Sequence, residues 1–284
     1  MVAEPEAQAP EDDWQVQLVF APGAGGETVA RRRRVAYPFH VGRPLPLDGA
    51  DAAFCNLYLQ SCSGGLFQHD RLGQWFEACG GARAHVTTAA ASVVHATPDG
   101  HAAQRLRLRA AAGAWLEYLP EPLILFAGAT LESRVRIEAD PLATVVVGEA
   151  LLAHDPAGGG RAFDGFASET LIADAEGDPL AIDRFRVTGE DLTDTRPGVH
   201  GGRAGLGSLQ VVHRADPQAA LHALRATLPR DGSVYAGASL LPGGAGAWLR
   251  ALSQDPAALR RTLLDAWAGV REALTGRRPA ARRK

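Results

Sequence analysis

The sequence predicts a mainly β fold of stacked strand-turn-strand units in a helical-β or sandwich-like arrangement, with two α-helices near the C-terminus. Three observations lead there. Short runs alternate apolar and charged residues at period two and are separated by Gly, Pro and Asp. A weak pattern recurs at roughly 30 residues, as in units that cannot bury an apolar face alone. Only two stretches, each opened by Asp-Pro, carry apolar residues at helical spacing.

In chain order, residues 1–13 are acidic and rich in Pro and Ala, and read as a disordered tail. Residues 15–21 form the first strand, closed by the Pro-Gly-Ala-Gly-Gly turn at 22–26. The repeat then begins a strand after a polar turn at Gly81, at Gly113 and at Leu142, with alternating strands leading in over 104–109 and 133–138. Further strands fall at 208–213 and 233–241, and a Pro-Gly-Gly-Ala-Gly turn makes a hairpin with 247–252. Asp216 and Asp255 each precede a proline at a first helical position, where the missing N–H costs nothing. The first helix stops at Pro229; the second carries Leu259, Leu263, Trp267, Val270 and Leu274 on one stripe and ends at Gly276. The division is a tail at 1–13, one β-rich domain at 14–276, and a basic tail at 277–284 whose ordinary reading is a solvated end.

Composition removes several functions. A net charge of -3 gives no overall field for nucleic acid. The first residues lack the basic and apolar segments of a secretory signal, and no window of about 18 apolar residues could span a membrane, so a cytoplasmic location is expected. Three cysteines, Cys55, Cys62 and Cys79, fit neither a disulfide framework nor a zinc pattern. Neither a Walker nor a dinucleotide signature occurs, and no nucleophile elbow, so neither nucleotide binding nor nucleophilic catalysis has support. The Arg31–Arg34 run could face phosphate, yet without an aromatic platform a solvated strand end is the simpler reading.

What remains is a scatter of metal-competent side chains. His69, Asp70, His85, His95 and His101 share a region with Cys62 and Cys79, and imidazole, thiolate and carboxylate suit borderline metals. Without paired spacing, His85 and His95 read first as hydrogen-bonded strand residues and the cysteines as small apolar ones.

Several segments resemble one family. Ser-Cys-Ser-Gly-Gly-Leu-Phe-Gln-His-Asp-Arg-Leu at 61–72 is similar to a stretch of the urease accessory protein family UreD/UreH written Ser-Pro-Gly-Gly-Gly-Leu-Val-Gly-Gly-Asp-Arg-Leu. Gly81-Ala82 and Val86 to Ala91 resemble its Gly-Ala and Leu-Thr-Thr-Gln-Ala-Ala run. Leu-Glu-Tyr-Leu-Pro-Glu-Pro-Leu-Ile-Leu-Phe at 116–126, with Gly128-Ala129, follows the family's most specific segment. Gly148-Glu149, Trp248, Trp267 and Arg271 extend the likeness to Gly276. Cys62-Ser63, Gln68-His69, Val93 and Ala153-His154-Asp155 depart from it, as in a divergent member.

The resemblance implies a non-enzymatic urease maturation factor: a scaffold and nickel conduit linking UreF, and UreG through UreF, to apo-urease. No tightly bound cofactor is implied, only nickel in transit, with Asp70, Glu117, Glu149 and His69 as candidate residues along its route. Alternation turns Glu117 outward as the polar half of its strand, and Asp70, after a Gly-rich turn, fits an Asx cap as well as a wet ligand site. The alternatives are a divergent β-structured interaction module that no longer delivers nickel, and a β-fold hydrolase.

Overall fold

The structure, a computed structural model, describes residues 14–48, 54–196 and 200–282, and the tail expected at 1–13 lies outside them. The chain opens with an antiparallel hairpin of β1 (Val16–Pro22) and β2 (Thr28–Val35), followed by the short β3 (Phe39–Val41) beside β4 (Phe54–Ser61). It then winds as a coil through β5 (Arg71–Ala78), β6 (Arg83–Thr88), β7 (Ser92–Val94), β8 (Ala102–Ala110), β9 (Trp115–Leu119), β10 (Leu123–Phe126), β11 (Thr130–Ala139), β12 (Thr144–His154) and β13 (Gly165–Ala173). After β14 (Pro179–Val187) come a short α1 (Gly189–Thr193), β15 (Gly205–His213), α2 (Pro217–Ala226), β16 (Tyr235–Leu240), β17 (Gly246–Ser253) and α3 (Pro256–Thr275).

Two sheets result. The seven-stranded sheet runs β14-β13-β11-β8-β5-β1-β2; the ten-stranded sheet runs β16-β17-β15-β12-β9-β6-β4-β3, with β10 beside the far half of β12 and β7 beside β10. β5, β8, β11 and β13 pair in parallel, as do β4, β6, β9 and β12, so each turn of the coil adds one strand to each sheet. The weak repeat is this coil. Cys55 pairs with Ala84, Ala84 with Leu116, and Leu116 with Val145. At each entry the same turn closes, with Ala82, Ala114 and Ala143 donating to the carbonyls of Cys79, Ala111 and Asp140. Gly81 and Gly113 take φ of 73° and 70° there, whereas the third copy uses the Asp140 carboxylate, which accepts from Leu142 N at 2.9 Å.

Both Asp-Pro helix starts are present: Asp216 accepts from Ala219 N and Asp255 from Ala257 N, and Gly276 ends α3 with φ 73°. α1 escapes the pattern reading because its five residues are too few for periodicity, although Thr188 and Asp191 form a capping box. Leu57, Phe76, Leu108, Leu116 and Ile137 fill the space between the sheets near one end of the coil, and Leu125, Leu131, Leu151, Phe163 and Phe166 fill the other. A third cluster lies under α2 and α3, outside the ten-stranded sheet. Gly207 permits that packing, since a Cβ there would sit 3.0 Å from Leu259 and Leu263.

The C-terminal segment differs from a solvated end. Asp48 accepts from Ala280 N at 2.9 Å, and Arg282 donates to the Leu119 carbonyl at 3.1 Å while lying over the Trp267 ring. Arg31–Arg34 stand on β2, an edge strand, and Arg33 ties it inward through the carbonyls of Val41 and Gly42.

Candidate functional site

Between the two apolar fillings one level of the coil is polar. Inward positions alternate with outward ones along each strand, and at this level they read Gln104, Ser133 and Ser168 in register on β8, β11 and β13. Across the gap, β12 and β15 place Glu149 directly beside Ser208. Because these side chains do not close the space as leucines do, a cavity of about 450 Å³ remains, lined also by Gln74, Tyr118, Thr170, Asp183 and Gln210. It reaches the surface where the lining residues Ser61, Cys62, Gly64, Ala90 and Ala91 are exposed. Gly65 builds this rim: φ is 137°, and a Cβ would meet the Val93 carbonyl at 2.4 Å. Leu66 N donates to that same carbonyl, which joins the Gly-rich segment to β7.

Glu149 is the carboxylate at this polar level of the wall. Ser168 donates to it at 3.2 Å and Ser133 at 3.4 Å. Two hydroxyls do not replace a hydration shell, so burial pushes its carboxyl up to about 7. Nearby, Gln74 Oε1, Ser208 Oγ and Gln210 Oε1 lack hydrogen-bond partners. Three such groups beside the Glu149 carboxyl on one void make it a place for water and small polar cargo. Arg250 holds Asp183 at the far end through contacts of 2.7 and 2.5 Å.

Glu117 lies elsewhere. Trp115, Glu117 and Leu119 face α3, whereas Leu116 and Tyr118 face the coil interior, so Glu117 stands on the opposite face of the sheet from the cavity. It is fully buried and accepts from Trp115 Nε1 at 2.7 Å, His85 Nδ1 at 2.7 Å and the Arg271 guanidinium, whose Nη1 also reaches Asp48 at 3.0 Å. Burial alone would raise the Glu117 carboxyl, but Arg271 and His85 outweigh it and hold it below the usual carboxylate range. Burial likewise pulls His85 down to about 4 against the attraction of Glu117, so the imidazole is neutral and donates from Nδ1. This network fastens α3 to β6 and β9.

Asp70 and His69 belong to the turn after the rim. Asp70 accepts from Phe67 N at 2.7 Å and its own N–H returns to the Phe67 carbonyl, so its carboxylate caps a backbone N–H three residues back. His69 is the one non-glycine with positive φ, 67°, among the described residues, and its N–H donates to the His101 carbonyl. Neither lines the cavity, so the structure does not bring the four candidates together. The cavity's own residues Gln104, Ser133, Ser208 and Gln210 escape a search for ligands because hydroxyls and amides at inward strand positions resemble ordinary strand residues. Among the described residues, no three His, Cys, Asp or Glu side chains are grouped to hold a metal ion.

Residues 13–284 match the family model described as UreD urease accessory protein. This chain belongs to that family. It is 39% identical over 268 residues to urease accessory protein UreD 1 of Pseudomonas syringae pv. syringae, covering 94% of each chain. It is 41% identical over 274 residues to the UreD 1 protein of Methylorubrum extorquens, covering 95% of this chain and 91% of the relative. The expected role in urease maturation therefore holds at the level of the family. Within that UreD frame, the polar level containing Glu149 and the α3 clamp on Glu117 are separate constructions. Among the described residues, no helix is long and apolar enough to cross a membrane.

Proposed function

We propose that this protein is a non-enzymatic scaffold that passes nickel through the cavity between its sheets to apo-urease, docking UreF directly and UreG through UreF. The observation that carries this reading is Glu149 in the cavity wall. A carboxylate whose proton is lost near pH 7 can exchange that proton for a divalent cation, and two serine hydroxyls beside it add weak oxygen ligands. A cargo that must leave again is served by few ligands rather than by a closed site. On this reading the cation enters at the rim formed by Ser61 to Gly65, next to the turn that carries His69 and Asp70, and moves toward Asp183.

The test is urease activation in a reconstituted mixture with Glu149→Gln, which keeps size and removes the charge. Normal assembly with reduced nickel in urease is expected. Full loading by this variant, assembled at wild-type levels, would sink the conduit and leave a docking scaffold.

A further inference from the structure

α2 and α3 pack on the ten-stranded sheet, and among the described residues the outer face of the seven-stranded sheet is open strand surface. Alternation fixes what that face displays. With Leu106 and Leu108 inward, Arg107 and Arg109 point out from β8; with Ser133 and Ile137 inward, Arg134 and Arg136 point out from β11; β14 adds Arg184 and Arg186. Register sets Arg107 directly beside Arg136. Like charges directly opposite destabilise a sheet, and here Glu138 sits between them, 2.9 Å from Arg107 and 2.6 Å from Arg136. A chain of net charge -3 thus concentrates cations on one face at a cost in local repulsion.

The face is also shaped. Glu132, Arg134, Glu169, Arg184 and Arg186 wall a depression of about 390 Å³ floored by Ala167. In the row of Arg107 and Arg136 the register leads to Trp75 on one side and to Ile182, which is 49% exposed, on the other. Arginine with aromatic and aliphatic anchors is the composition of protein interfaces. These arginines outnumber the interleaved Glu132, Glu138 and Glu169, so the face keeps a positive excess that a carboxylate-bearing surface complements and a second copy of the same face does not. The exposed Ile182 suits a protein partner rather than a phosphate backbone.

We propose that this face docks a carboxylate-rich surface of nickel-free urease; the inference rests on the docking role proposed above. The depression is lined also by Ser133 and Ser168, the pair that binds Glu149, so docking there would hold the partner against the wall of the cavity.

The experiment measures binding of the full chain to immobilised nickel-free urease at 50 and 300 mM salt, for wild type, the double reversal R184E/R186E and, on a different strand, R134E. Both β14 side chains are exposed, and thermal melts check that each variant is folded. The expected result is wild-type affinity that weakens at least about tenfold with salt, and a folded double reversal that binds roughly 10- to 100-fold more weakly at low salt with a flattened salt response. R134E supplies the same reading if the double reversal melts early. Folded variants that bind like wild type overturn the face while leaving the docking role intact. A short DNA duplex that displaces urease at equal concentration overturns it in favour of nucleic acid. Wild type that does not bind urease at either salt overturns both.

Discussion

At the scale of single residues, Glu149 and Glu117 are two carboxylates on one sheet with opposite electrostatics, and pH separates them. The Glu149 carboxyl is raised from 4.5 to about 7, so the folded state favours its neutral form. That stabilisation is complete below about pH 4.5 and is lost as pH rises through about 7. Glu149→Gln removes the loss, and the variant should gain up to about 3 kcal/mol on wild type between pH 4.5 and 8, read from urea midpoints across pH. His85, lowered from 6.5 to about 4, acts with the opposite sign in an overlapping window, so the difference between the two proteins is the quantity to follow. A difference that stays flat with pH would mean that Glu149 is solvated. Glu117 has its carboxyl depressed, so its contribution is present above pH 4.5 and fades as pH falls below. Glu117→Gln leaves Arg271 buried with only Asp48 as carboxylate partner and should cost about 3 to 5 kcal/mol at pH 7, measurable by denaturant melts. His69→Gly should add roughly 0.5 to 1 kcal/mol, since φ of 67° strains a side chain there and the resembled segment has glycine at this point; an unchanged melting temperature would show the turn relaxes freely.

At the scale of elements, Trp267 shows how α3 is held. It is 4% exposed, stacks on His85 at 4.9 Å between centroids and lies under both Arg271 and Arg282. Trp267→Ala should therefore destabilise by about 3 to 5 kcal/mol, with the loss visible as a lower melting temperature and as earlier hydrogen exchange in α3. The strands and helices were legible because period-two alternation and Asp-Pro caps are local signals, and β8, β11, α2 and α3 depend on little else. The sheet partners were not: β9 is buried throughout, so its alternation separates the coil interior from the helix-covered face rather than core from solvent. That is why Glu117 is outward yet inaccessible. The tail from Arg277 escaped for a related reason, since the acceptors that hold Ala280 and Arg282 are Asp48 and Leu119, far away in sequence.

At the scale of the whole molecule, the coil is a stack in which one level was left unfilled, and stability and the proposed transport make opposite demands on that level. Inward positions on either side carry Leu108, Leu116 and Ile137 or Leu125, Leu131 and Leu151, all fully buried, so the same backbone could support apolar side chains here. Family resemblance pointed to Glu149 through Gly148-Glu149 but could not reveal the void, because the void arises from Gln104, Ser133, Ser208 and Gln210 meeting across separate turns. Ser208 offers the sharpest test. Its hydroxyl is buried without a hydrogen-bond partner and its neighbour in register is Glu149. Ser208→Leu removes that unsatisfied group and fills part of the cavity, so it should leave stability unchanged or raise it by about 1 kcal/mol. Its surface is untouched, and partner assembly should match wild type in pull-downs. If nickel travels through the cavity, urease matured with Ser208→Leu should nevertheless contain clearly less metal and show activity reduced in proportion. A well-folded, fully assembled Ser208→Leu complex that loads urease at the wild-type rate would mean that the polar level serves hydration alone.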